Sequence, residues 1–265
     1  MKVKYITLLF FLLFFFSPSY GAEKETEITR YNIWTRLIYS GTLTNSGLGF
    51  QSMVGQRFNP VISKHVNGIE DDSAVSSGAW LTEFWVGPAW RKRVHEKFNL
   101  SVNILYQPQI WSLDEKIAGR YFRHNIQQNT DLMFILSHFS IRFRLMLWNQ
   151  FKTITAENKE LDNEFFTRWL IGMRIPVHKK ISLVFEDEIF LKLTADDDDK
   201  DGLTEFFVNN SIWAGADFTI KGDLKAGIRY IFMYINRTSS LAQKTTMFDH
   251  YSYFQISYST DFTKK

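Results

Sequence analysis

The chain has 265 residues, with 31 Lys and Arg against 28 Asp and Glu, a net charge of +3, 17% aromatic residues and no cysteine. Near-neutral charge offers no electrostatic grip on nucleic acid. The missing thiol excludes disulfides, cysteine metal sites and a lipid carried on cysteine.

The first element is a targeting segment. Lys2 and Lys4 precede an apolar run from Ile6 to Phe16, Ser17 and Pro18 break it, and the small residues Ser19, Gly21 and Ala22 follow. Basic start, apolar stretch and small-residue end are the order of a secretory signal, which a spanning helix of roughly 20 apolar residues would not show. Residues 1–21 are therefore expected to be a signal peptide and 22–265 the mature domain, whose charge is close to zero once the two lysines leave. In that domain the longest unbroken apolar run is Tyr230 to Ile235, far too short for a membrane helix. The many aromatic residues must then fill a soluble core or face lipid from strands, with Tyr and Trp at the interfaces.

Two-residue alternation decides for strands. Weak alternation marks Tyr31–Leu43, Gly49–Arg57 and Ala79–Trp90. In Phe98–Gln107, Phe98, Leu100, Val102, Ile104 and Tyr106 oppose Asn99, Ser101, Asn103 and Gln107. Arg120–Asp131 is weaker. His138–Asn149 is the clearest: Phe139, Ile141, Phe143, Leu145 and Leu147 oppose His138, Ser140, Arg142 and Arg144. A helix would set Arg142 and Arg144 about 200° apart and scatter the charge; a strand sends them to one face. Glu164–Ile175 follows, then Ile181–Leu193, where Asp187 interrupts the apolar face. Glu205–Phe218, Leu224–Tyr234 and Tyr251–Phe262 complete the series.

Eleven segments of about ten residues suit tilted transmembrane strands. Bacterial barrels favour even counts, so a single antiparallel transmembrane barrel of about 12 strands is expected, or ten if one N-terminal segment is excluded. Short links (Pro176–Lys180, Ile220–Asp223) and longer polar ones (Asn59–Gly78, Ser112–Gly119, Lys152–Asp162, Thr194–Thr204, Asn236–His250) predict two unlike rims, the longer loops facing outward. A soluble two-sheet protein would alternate too, with strands nearer five or six residues.

The segments resemble the family of predicted outer-membrane barrels known as domain of unknown function 2490. The resemblance runs from about Tyr31 to the C-terminus. It rests on Trp34, Tyr121–Asn129 (YFRHNIQQN), Arg142–Leu145 (RFRL), Phe165–Pro176 (FFTRWLIGMRIP) and Glu188–Phe190 (EIF). Met146 stands where the family often has glutamate, an arginine expected near Asn210 is missing, and Thr263–Lys265 follow the final aromatic Phe262. The resemblance implies architecture and location, and no chemistry.

The charged set predicted to line the lumen is Arg123, Asp131, Arg142, Arg144, Glu164, Arg168, Arg174, Glu186, Glu188 and Arg229. On neighbouring strands these can form a salt-bridge network or line a polar conduit. His138 and Ser140 invite comparison with the His-x-Ser pair of outer-membrane phospholipases, where histidine serves as base for a serine nucleophile. They share the face of Arg142 and Arg144, however, and no orienting acid or amide is at hand, Asn149 lying on the opposite set. Asp196–Asp199 with Asp201 lacks the spacing of a calcium loop. His65, His95, His124, His178 and His250 show no metal spacing, and Lys179, Lys180 and Arg91–Arg93 read as rim charges. The expectation is a non-enzymatic outer-membrane barrel, either a narrow pore for small polar solutes or a structural protein. It needs no cofactor or metal, and its surroundings are lipid and lipopolysaccharide. A lipid-acting hydrolase and a soluble periplasmic sheet protein binding apolar ligands are the alternatives.

Overall fold

The computed structural model describes residues 24–66, 69–70, 80–112, 120–151, 164–193, 207–240 and 243–264. Eleven long strands follow in chain order: β1 (Lys24–Thr42), β2 (Leu48–Val66), β3 (Trp80–His95), β4 (Phe98–Ser112), β5 (Arg120–Ile135), β6 (Ser140–Phe151), β7 (Glu164–His178), β8 (Ile181–Lys192), β9 (Phe207–Lys221), β10 (Leu224–Ser240) and β11 (Gln243–Asp261). Each pairs antiparallel with the next, and Ile69–Glu70 adds a short stretch to the far end of β2. The sheet closes on itself where β1 meets β11, from Lys24 opposite Gln243 to Thr42 opposite Asp261.

That closing pair is parallel. Successive antiparallel strands alternate in direction, so the first and the eleventh point the same way. The eleven segments seen in the sequence are the eleven strands. The expected even number gives way because a parallel neighbour satisfies the backbone of a terminal strand as an antiparallel one does, and closure asks only that no edge stay unpaired. The odd count has a topological consequence: Lys24 lies at one rim and Asp261 at the other.

Strands run longer than their apolar patterns. β1 begins seven residues before Tyr31, and β10 and β11 continue through much of the stretch expected to be a polar loop between Asn236 and His250. Ladder hydrogen bonds come from the main chain, so a pair of strands can extend past the apolar zone on polar side chains. Conversely, His138 falls outside the strand expected to hold it: β6 starts at Ser140, and residues 136–139 form a turn closed by Leu136 N–H donating to Phe139 O at 2.9 Å. The rim carrying this turn also carries the connections at residues 43–47, 96–97, 179–180 and 222–223. Gly47 (φ 94°) and Gly222 (φ 56°) occupy left-handed positions there that a Cβ would disfavour.

Side chains alternate across the wall. Every strand presents at least one large exposed apolar residue outward: Leu37, Val54, Val86, Ile104, Ile126, Phe143, Trp169, Phe185, Ile220, Ile228 and Phe254 in strand order. Together they make a belt around the whole circumference. Tyr–His contacts sit on this outer face, where Tyr31 stacks on His250 at 4.9 Å and the Tyr106 and Tyr230 hydroxyls hydrogen-bond His124 and His250. Asp187, the interruption on the apolar face of β8, is 5% exposed and hydrogen-bonds Asn210 on the same face of β9.

Candidate functional site

The barrel interior divides into two halves. The half away from the short turns, together with the waist, is filled. At the waist, Trp34 of β1 is held between two guanidinium groups, Arg36 and Arg57, each 3.9 Å from its ring centroid. Arg36 also lies 4.8 Å from the Trp85 ring. Tyr253 meets Trp34 edge-on at 5.1 Å, and Trp213 packs on both. Leu105, Met146, Leu170 and Ile231 close the same layer from other strands; Leu105 is 1% exposed and Ile231 0%. A water-filled channel would leave such inward side chains accessible, so among the described residues the waist is packed shut.

Beyond the waist each buried charge has its partner. Glu83, fully buried, accepts from Arg57 at 3.4 Å, Gln107 at 3.1 Å and Gln109 at 2.8 Å. Asp249, equally buried, accepts two hydrogen bonds from Arg30 at 2.6 Å and one from Tyr251 at 3.1 Å. Arg168 pairs with Glu188 at 2.9 Å beside the stacked rings of Phe166 and Phe190, and Lys192 with Glu164 at 3.2 Å. Buried carboxylates need such partners, because an unpaired charge in a dry interior is costly. Glu83 takes its three contacts on Oε1, and its Oε2 has no hydrogen-bond partner among the described residues.

The other half is open. A cavity of about 590 Å³ runs from the waist to the rim of short turns, reaching Ser40, Arg93, Asn99, Lys225 and Ser259. Asp131 lies on its wall and accepts from Arg142 at 2.7 Å and Arg144 at 2.9 Å. Arg142 continues to Glu186 at 3.3 Å, and Arg174 and Arg229 both ion-pair with Asp217. Two of these contacts skip a strand. Arg142 is opposite Gly172, and Gly172 is opposite Glu186. With no side chain on β7 at that point, β6 and β8 can join across it. A Cβ on Gly172 would stand 2.9 Å from Glu186 Cγ, and one on Gly227 would stand 2.9 Å from Asp217 Oδ1. Inward glycines are the slots in which the long charged side chains lie.

The structure thus gathers Asp131, Arg142, Arg144, Arg174, Glu186 and Arg229 around the cavity, Arg168 and Glu188 at its floor, and Glu164 above. The side chain of Arg123 lies outside the described residues; its backbone pairs with Gln109. The acidic run Asp196–Asp199 with Asp201, the N-terminal segment expected to be a signal peptide and the side chain of His65 also lie outside them. Among the described residues no three His, Cys, Asp or Glu side chains cluster as a metal site. His138 is exposed in its turn, while Ser140 opens β6 opposite Ile135 and Arg174, and no hydrogen bond joins the two among the described residues.

None of the known protein families matches the chain, and no curated protein does. Among solved structures it is similar to the translocator domain of autotransporter NalP from Neisseria meningitidis, at 13% identity over 72% of this chain and 70% of that one, with a TM-score of 0.38. The barrel assignment stands on the strand pairing itself.

Several interior residues escaped the sequence reading. Arg36, Arg57, Glu83 and Asp217 lie on strands whose alternation is weak. Arg91 and Arg93 read as rim charges; they do sit toward the rim, but they also line the cavity. Counted along its lining, eleven basic side chains face five acidic ones. The partners Glu186 of Arg142 and Asp217 of Arg174 could not be read from neighbouring strands, since each contact skips a strand, the first over Gly172.

Proposed function

We propose that this chain is an outer-membrane β-barrel of a bacterium with two membranes. In this reading it is exported by the signal at residues 1–21, its short turns lie in the periplasm, and lipid and lipopolysaccharide surround its belt. It belongs with the domain of unknown function 2490 barrels it resembles. It is non-enzymatic, and its resting state is a closed barrel with a one-ended cup, in place of a standing pore. The observation that carries the reading is the pairing of an unbroken apolar outer belt with a charged interior sealed at the waist. An apolar band on every outward face suits bilayer hydrocarbon, whereas a soluble sheet protein would place its charges outside.

Cell fractionation with heat-modifiable migration in detergent gels tests the location and the fold together. The mature protein should need detergent for extraction and should migrate faster unheated; release by salt alone would return the soluble alternative. In planar bilayers the wild-type protein should show no steady conductance, and a standing conductance altered by Arg142→Glu would restore the pore. Lipid hydrolysis abolished by Ser140→Ala would replace the reading with an enzyme. Because the chain has no cysteine, single cysteines placed at Glu27 and at Thr263 can be labelled from each side in turn. The parallel closure requires them to react from opposite faces of the membrane.

A further inference from the structure

We infer that the cup is a binding site for compact solutes bearing two or more phosphate or carboxylate groups, entering through the rim of short turns; this rests on the closed-barrel reading above. The argument is one of charge that cannot be shed. Around the open half of the lumen, Arg142, Arg144, Arg174 and Arg229 share Asp131, Glu186 and Asp217. Five more cations line the same cavity with no carboxylate in salt-bridge reach among the described residues: Arg36 at the waist, and Arg91, Lys92, Arg93 and Lys225, all solvent-exposed, toward the mouth. Arg91 donates only to neutral groups, Ser40 Oγ and Gln51 Oε1, both at 3.0 Å. Arg93 donates to the carbonyl of Glu96 at 2.7 Å.

Eleven cations against five carboxylates leave an excess of six along the lining of a space of about 590 Å³. A lysine could answer crowding by losing its proton, but guanidinium groups stay charged at every accessible pH. The half-buried and buried arginines Arg142, Arg144, Arg174 and Arg229 are screened less than they would be in bulk water, while Arg91, Arg93 and Lys225 stand exposed at the mouth. The excess therefore draws anions from solution toward the mouth and wall of the cup. A single molecule carrying several anionic groups satisfies several arginines at the entropic cost of immobilising one solute, and planar guanidinium forks hold phosphate and carboxylate alike by paired hydrogen bonds. Asn99, Ser101, Gln255 and Ser257 add neutral hydrogen-bonding groups along the wall. The packed waist turns the site into a cup, so the solute leaves by the mouth it entered.

The test uses the detergent-purified mature protein, titrated calorimetrically with pyrophosphate and with citrate. Quenching of the tryptophans at the floor, Trp34, Trp85 and Trp213, gives a second readout. Saturable binding that weakens with added salt is expected for at least one of the two anions, with none for a neutral disaccharide. The variant Arg91→Gln/Arg93→Gln/Lys225→Gln breaks no ion pair seen in the structure and should bind roughly tenfold or more weakly. Lys179→Gln, at the same rim but away from the cavity, should bind as wild type. No saturable binding of either anion would overturn the site, as would equal affinity in the triple variant. Unchanged heat-modifiable migration of that variant would show that the barrel reading survives even where the site does not.

Discussion

The two halves of the lumen use the same residue types to opposite ends. Toward the long links and at the waist, arginines are neutralised or stacked: Arg30 on Asp249, Arg57 between Glu83 and Trp34, Arg168 between Glu188 and Phe190. Toward the short turns they outnumber their partners and face open space. The difference teaches that charge inside this barrel is not of one kind. Above the waist it completes a packed core in which each group depends on the others. Below it, charge is held ready without being used up by the fold.

If that contrast is real, substitutions in the filled half should cost stability and those in the cup should not. The largest effect is expected for Trp34→Ala. It removes the ring on which Arg36 and Arg57 both rest and leaves a void in the tightest layer, so a loss of about 3–5 kcal/mol is expected for a large aromatic truncated in a core. The temperature at which the folded gel band disappears should fall sharply. Because the same ring plugs the waist, steady conductance in planar bilayers should appear with it. A stable variant that stays silent would mean that the waist is sealed by something other than this layer.

Glu83→Ala is expected to rank close behind, about 3 kcal/mol, because the buried amides of Gln107 and Gln109 lose their acceptor and the part-buried Arg57 its counter-charge. Glu83→Gln keeps an acceptor for Gln107 and Gln109 and should lose less. Equal losses in the two variants would show that packing, and not the charge on Glu83, is what matters there. Gly172→Val comes next. The added side chain collides with Glu186 where Arg142 reaches it, an overpacking cost of about 1–3 kcal/mol. Urea unfolding in micelles should show the loss, and Gly172→Ala should show a smaller one.

The same contrast explains what could and could not be read from sequence. In β4 from Phe98 to Asn103 and in β6 from Ile141 to Arg144 outward apolar residues face inward polar ones, so strand and face were both plain. The waist was hidden because it violates that rule. Where a strand crosses it, inward residues are apolar too, and alternation dissolves into a continuous run. Tyr230 to Ile235 is such a place: Tyr230 and Phe232 look outward, while Ile231, Met233 and Ile235 are buried within. The longest apolar run after residue 22 therefore marks the plug, and Leu145 to Trp148 marks it again on β6. Arg142 with Glu186 and Arg174 with Asp217 were illegible for another reason. They depend on the register of three strands at once, which only the closed sheet sets.

The smallest effect belongs to the cup. Arg93→Gln removes a charge whose one hydrogen bond within the chain is to the nearby carbonyl of Glu96. Exposed positions away from packing or ion pairs usually change stability by within about 0.5 kcal/mol. The melting of this variant should therefore coincide with that of the wild type. It should rise slightly only if relief of crowding among the cup's arginines outweighs the lost hydrogen bond, and that rise should shrink with added salt, since mobile ions already screen the repulsion. A loss comparable to that of Glu83→Ala would place Arg93 in the load-carrying network and erase the division between the two halves.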